Sequence, residues 1–312
     1  MASRGDKAGG RGRGGRPMSE EVLISKALSY TLRHGAQKEG VKIRPDGYVR
    51  VEDLLSRSKF QKLGMTWPKL LDIVNNNDKK RFALAHVSTL VPEGSPASTP
   101  VTPAESAPKP DPLSNPSDFL IRANQGHSLA VDSTLILTPL TLETPDLPVQ
   151  VCHGTYYRHL PMILRTGGLK RMTRQHIHFF DSVSLLSDQK AVSGMRGNCE
   201  IVVWVDTKRS LEGGSGLKWW RSENGVILTE GAGEEGVVEL KWWGKVTDRK
   251  TGEEVWSREA GLLRPEEELV ARGAKGQGSG GERGERGGRG GRGGVGEEEG
   301  VDVGGRMGLR RW

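Results

Sequence analysis

Residues 119–128, Phe-Leu-Ile-Arg-Ala-Asn-Gln-Gly-His-Ser, begin as an apolar strand and end as a cluster of phosphate-binding residue types. The run Phe119 to Gln125 predicts a β-strand, and Gly126-His127-Ser128 predicts a polar turn directly after it. Arginine presents a planar fork of donors that stays charged at any working pH, and glycine lets backbone N–H groups approach an anion closely. Three other phrases share this character: Arg33-His34-Gly35, His153-Gly154-Thr155 and Ser193-Gly194-Met195-Arg196. None of the four contains an acidic residue, which suits a site for phosphate.

Upstream, Ser19 predicts a helix N-cap, Glu20 and Glu21 suit the positive helix end, and Val22, Leu23, Ile24, Ala27, Leu28 and Leu32 recur on one face until Gly35 stops the run. Arg33 and His34 therefore ride on the last turn, where cations are favoured whatever the function. Short helices are predicted over Val51 to Arg57 and from Thr66-Trp67-Pro68 onward. Arg81 to Val87 forms a second strand candidate, to pair with Phe119 to Gln125. Three short helices and this hairpin predict a winged-helix-like lobe over residues 19–137. Residues 88–118, rich in Pro, Ser and Thr, predict a flexible insertion in its hairpin loop.

A Pro-containing linker is predicted at 138–148. The second lobe, 149–260, is dense in strand candidates: Val149 to Cys152, His176 to Phe180, Ile201 to Val205, Gly225 to Thr229 and Gly236 to Trp242. Gly231-Ala232-Gly233-Glu234-Glu235-Gly236 matches a dinucleotide fingerprint, but a strand rather than a helix follows it, so a hairpin turn is predicted. The fold class is therefore α+β.

Hydrophobic residues make up only 34% of the 312, and 44 are glycine. Residues 1–18 and 261–312 are Gly, Arg and Glu runs without apolar periodicity, so both predict disordered ends. Of the net charge of +7, the arm carries +4 and the tail +1, leaving the folded part nearly neutral. Any phosphate-binding surface must then be a local patch; for the ends, solvated disorder is favoured over RNA contact, and the Gly-Arg tail offers a sequence-tolerant contact with RNA, a site of arginine methylation, or neither. Two cysteines make no disulfide framework, and the absence of a signal peptide or long apolar run predicts a soluble, reducing compartment, cytoplasmic or nuclear. Cys152, His153, His159, His176 and His178 lack metal-ligand spacing, so no metal is expected.

The four phrases, in this order, resemble the tRNA 2′-phosphotransferase family over residues 19–231. Lys42-Ile43-Arg44-Pro45-Asp46-Gly47-Tyr48-Val49, His176-Ile177-His178 and Asn224-Gly225-Val226-Ile227-Leu228-Thr229 extend the resemblance. It implies an ADP-ribosyltransferase-like second lobe and an enzyme that consumes NAD to remove an internal 2′-phosphate from spliced tRNA; a monomer is expected. It also implies Arg33, His34, Arg122 and Arg196 around the transferred phosphate, with Gly126, His127 and Ser128 as further donors. His153, Gly154, Thr155, His178 and Val226 are implied in NAD binding; His176 shares a strand face with His178. The implied chemistry joins the phosphate to the ribose carbon that bears nicotinamide, then lets the neighbouring hydroxyl attack phosphorus. The products are 2′-hydroxyl RNA, nicotinamide and ADP-ribose 1″,2″-cyclic phosphate. A dianionic phosphate needs no base to attack, which accounts for Val226 where related transferases carry glutamate. Two alternatives remain: an RNA-binding pseudoenzyme, and ADP-ribosylation of nucleic-acid phosphate ends.

Overall fold

The computed structural model describes residues 18–90, 109–182 and 198–275. Most of the expected insertion, Arg196, the N-terminal arm and the end of the tail lie outside the described residues.

Helix α1 (Glu20–Tyr30) starts where Ser19 Oγ accepts from Val22 N at 3.4 Å, and it buries Ile24 and Leu28. The chain then widens into one π-helical turn, Thr31–Gly35, that carries Arg33 and His34. After β1 (Val49–Arg50), three short helices follow: α2 (Val51–Leu55), α3 (Ser58–Lys62) and α4 (Trp67–Asn75). They pack on a small antiparallel sheet of order β1-β3-β2, formed with β2 (Phe82–His86) and β3 (Phe119–Ala123). Leu28, Leu32, Leu54, Phe60, Leu70 and Ile121 fill this core with no side chain exposed by more than a trace.

The end of the insertion is docked on this lobe. Trp67 Nε1 donates to the Asp111 carbonyl at 2.9 Å, and its ring stacks on Phe119 at 5.2 Å. Of the insertion expected to be flexible at 88–118, residues 109–118 are thus anchored by Trp67, and residues 91–108 lie outside the described residues.

The second lobe contains α5 (Ser133–Ile136), β4 (Leu137–Leu140), β5 (Gln150–Thr155), α6 (Leu160–Arg165), β6 (Gly168–Lys170) and β7 (Ile177–Asp181). It continues through β8 (Ile201–Asp206), α7 (Thr207–Glu212), β9 (Trp219–Ser222), β10 (Ile227–Thr229) and β11 (Val237–Glu239). The chain ends its described course in β12 (Trp243–Asp248), β13 (Glu254–Ser257), β14 (Gly261–Leu262) and α8 (Glu266–Lys275). Nine strands form one antiparallel sheet in the order β14-β13-β12-β8-β5-β7-β10-β9-β4; β6 and β11 pair separately. The chain is thus α+β, with a large antiparallel sheet and few helices. Trp219 and Trp243 anchor its core, and burial of each aromatic of that size contributes about 4–6 kcal/mol as an upper estimate.

Two boundaries differ from the sequence reading. The expected linker at 138–148 instead begins as β4, which pairs with β9; Pro139 is tolerated there because β4 is an edge strand. The expected end of the fold at residue 260 falls short by β14 and α8. Leu269 of α8 is fully buried in the large-sheet core, and Arg272 Nη1 reaches Tyr157 Oη at 3.4 Å. One buried leucine among Glu and Arg supplies the packing that composition conceals.

The glycine-rich run after β10 forms a hairpin turn. Ala232 and Val237 exchange backbone hydrogen bonds at 2.9 Å, and β11 follows. A Cβ at Gly231, with φ of +76°, would lie 2.1 Å from the Gly236 carbonyl carbon, so the turn admits no side chain there.

Candidate functional site

The π-helical turn and the loop after β3 are fastened together through backbone groups. The Arg33 carbonyl accepts from Ser128 N at 2.9 Å and from Leu129 N at 3.3 Å, while His34 Nδ1 and Ser128 Oγ pair at 2.9 Å. Gly126 sits at the centre with φ of +88°, and a Cβ on it would lie 3.5 Å from Arg33 Nε and from His178 Nε2. Glycine here lets the loop turn left-handed while an arginine and a histidine close in on either side.

Arg33, Arg122 and His127 each bring a buried nitrogen to this site that has no hydrogen-bond partner among the described residues: Nε of both arginines and Nε2 of the histidine. Buried polar atoms are ordinarily satisfied, so three such nitrogens on one loop and its neighbour call for an acceptor. Arg122 also lies over the Tyr48 ring at 4.9 Å. Its Nη2 stands 3.3 Å from Glu223 Oε2, so the fold supplies an acidic neighbour that the phrases themselves lack.

Burial first, and crowding of positive charge after it, set the protonation states. Burial, then Arg174 and Arg81, brings the Arg33 guanidinium down to about 10, which leaves it charged at neutral pH. Burial and then Arg174 and Arg33 lower His34. His127 is pushed to about 3 by burial and then by Arg33 and Arg122, so it meets a ligand as the neutral imidazole. An anion would relieve this mutual repulsion.

In the second lobe, β5 runs fully along β8 but pairs with β7 only through Val151↔Asp181 and Cys152↔Phe180. The two strands part after Cys152, so His153, Gly154 and Thr155 lie beyond the end of that ladder. His153 spans the opening, its Nδ1–H donating to the His178 carbonyl at 2.9 Å, with its ring 5.7 Å from that of Phe179. His178 Nε2–H donates to Gln125 Oε1 at 2.7 Å, linking this strand to the loop of Gly126. Burial, followed by Arg174 and His176, drives His178 to about 3.

Arg33, His34, Arg122, Gly126, His127, Ser128 and His178 thus gather around one loop, and His153 reaches the same strand as His178. His176 turns to a different set of partners: its Nε2 pairs with Ser133 Oγ at 3.1 Å and lies 3.7 Å from Glu230 Oε1. Val226 is fully buried among Val131, Ile136, Leu137, Trp220 and Leu228. It shapes the turn from beneath and presents no side-chain surface. Arg196 lies outside the described residues.

The sequence reading overlooked Gln125 as a link to His178, Arg174 as a rim cation, and Glu223. Gln175 was also missed; its backbone N donates to the His127 carbonyl at 2.9 Å and its Nε2 to the Val131 carbonyl at 3.0 Å. The density of polar residues from Arg171 to His176, just before β7, was the available signal. Among the described residues no group of three His, Cys, Asp or Glu is placed to hold a metal ion, and no helix is long and apolar enough to cross a membrane.

Residues 19–231 match the family model described as RNA 2'-phosphotransferase, Tpt1 / KptA family. The chain is 41% identical over 229 residues to the tRNA 2'-phosphotransferase 1 of Mus musculus, covering 73% of this chain and 78% of that protein. It is 38% identical over 224 residues to the Danio rerio protein of the same name, covering 72% and 84%. The tRNA 2'-phosphotransferase of Saccharomyces cerevisiae is 30% identical over 232 residues, covering 74% and 87%. With residues 19–231 matched by the family model and most of each relative's length covered, the chain belongs to the RNA 2'-phosphotransferase, Tpt1 / KptA family.

Proposed function

We propose that this chain removes an internal 2′-phosphate from tRNA by transferring it to NAD, releasing nicotinamide and ADP-ribose 1″,2″-cyclic phosphate. The observation that carries the reading is the convergence of Arg33 Nε, Arg122 Nε and His127 Nε2 around the Gly126 loop, all buried and without a hydrogen-bond partner among the described residues. A phosphate monoester brings close to two negative charges and several acceptor oxygens, the complement of that set. On this reading the first lobe is a winged-helix-like RNA platform, which accords with short helices packed on a hairpin.

The second lobe is read as ADP-ribosyltransferase-like, in keeping with the parting of β5 from β7. The opening beside His153, Gly154 and Thr155 suits NAD, since backbone groups at a strand edge can bind the nicotinamide amide. Bound NAD supplies an electrophilic ribose carbon and the acceptor for the phosphate. The chain's own residues then do the rest. His178, neutral and hydrogen-bonded to Gln125, offers an uncharged ring beside a cationic nicotinamide. Arg33 and Arg122, joined by Arg196 in the proposal, hold the phosphate and stabilise charge on its oxygens as it moves.

His34 has its pKa below the usual histidine value, so at neutral pH its ring can accept a proton from a ribose hydroxyl. Ser128, 2.9 Å from Nδ1, orients that ring.

The test incubates the protein with an oligoribonucleotide bearing one internal 2′-phosphate, with and without NAD. The phosphate should be lost only with NAD; equal loss without it overturns the proposal.

A further inference from the structure

Glu223 occupies part of the place where a phosphate would dock. The side-on edge of an arginine presents Nε and Nη2 together, the pair that a carboxylate or phosphate takes bidentately. At Arg122 only half of that edge is engaged: Nη2 is 3.3 Å from Glu223 Oε2, while Nε is buried and has no partner among the described residues. The Arg122 side chain is 14% exposed and that of Glu223 is 57% exposed, so the carboxylate sits at the mouth and the guanidinium behind it. The arginine is held in this pose by Tyr48, whose ring lies 4.9 Å beneath it. The turn that carries Glu223 is fixed as well. Asn224 Nδ2 donates to the Lys79 carbonyl at 2.9 Å, and Val226 N donates to Ser222 Oγ at 3.0 Å.

We infer that Glu223 is a specificity-determining residue, a displaceable counter-ion that admits a phosphate monoester to Arg122 and turns away the phosphodiesters of the RNA backbone. The inference rests on the reading of Arg122 as a phosphate ligand. An ion pair whose carboxylate lies open to solvent at the mouth is weakly held, so an incoming anion can replace it. What replaces it must offer more than the carboxylate does. A diester carries one negative charge, the same as Glu223, and gains nothing in the exchange. A 2′-monoester carries about −1.5 to −2 at pH 7 and has three terminal oxygens, enough to fill both Nε and Nη2. Discrimination therefore comes from the competitor already present, because a bare arginine would attract every phosphate in the chain it reads.

The test measures binding, without NAD and at physiological salt, of two oligoribonucleotides of one sequence, one with a single internal 2′-phosphate and one without. Wild type should favour the 2′-phosphorylated strand. Glu223→Gln should tighten the plain strand by about fivefold, the upper end for an exposed ion pair, and narrow the preference. Glu223→Asp, which keeps the charge, should retain the preference. In an Arg122→Ala background Glu223→Gln should change nothing. An unaltered preference in Glu223→Gln, a wild type without preference, or the same tightening in the Arg122→Ala background would overturn the inference. Wild-type protein that discriminates in binding yet consumes no 2′-phosphate with NAD would count against the proposed reaction and leave the role of Glu223 standing.

Discussion

His178 on β7 donates through Nε2 to Gln125 Oε1 at 2.7 Å, a buried hydrogen bond that joins the strand of one lobe to the Gly126 loop of the other. Gln125→Leu leaves that N–H buried without an acceptor, which costs about 1–3 kcal/mol. Chemical denaturation should register a loss in this range. A Gln125→Leu protein as stable as wild type would mean that His178 finds another partner without cost.

Three histidines should make the fold sensitive to mild acid. His127 and His178 are pushed to about 3 and His176 to about 4, in each case first by burial. In the unfolded chain each titrates near 6.5, so between that value and the folded one the unfolded chain binds more protons. Stability is therefore fully present above about pH 6.5 and falls as pH drops toward 4, by up to roughly 1.4 kcal/mol per pH unit for each histidine. Denaturation midpoints at pH 7, 6 and 5 should decline in that order; a flat series contradicts the burial of neutral rings.

Arg33→Ala, Arg122→Ala and Arg196→Ala should each lower kcat/KM by roughly tenfold to a hundredfold or more, since a charge-assisted phosphate contact is worth about 1.5–3 kcal/mol and strengthens as charge moves. Steady-state assays below saturation decide this for each residue separately. Wild-type rates in any one variant remove that arginine from the phosphate site.

Truncation separates the tail from the fold. A chain ending at residue 275 keeps α8 and should melt like wild type, whereas one ending at 260 loses β14 and the buried Leu269 and should melt lower. Leu269→Ala alone should cost about 2–5 kcal/mol in the intact chain. Identical melting of the two truncations would show that α8 contributes no packing.

Much of this arrangement was legible in sequence where local chemistry agrees with tertiary demand. Ser19 caps α1, Gly35 ends the helical run, and the apolar stretches at 82–86, 119–123, 177–181 and 201–206 are strands within a residue or two of their expected limits. The losses have distinct causes. Pro139 marks a linker by propensity, yet it is admitted on an edge strand that burial of Leu137 and Leu140 pays for. The last helix hides among Glu and Arg because one buried leucine, Leu269, does its packing. In the candidate site, residue types pointed toward an anion, but no local pattern could bring Glu223 to Arg122 across 101 positions, or Gln125 to His178 across 53. Such pairs are decided by which loops the two sheets bring together.

The fate of the phosphorus atom tests the account most directly. An oligoribonucleotide with a radiolabelled internal 2′-phosphate is mixed with the protein and NAD, and the labelled products and nicotinamide are counted together. The account predicts that the label leaves RNA as ADP-ribose cyclic phosphate, with one nicotinamide for each phosphate lost, and that His34→Ala slows release of the label from RNA more than release of nicotinamide. Label recovered as inorganic phosphate in the absence of NAD would contradict it.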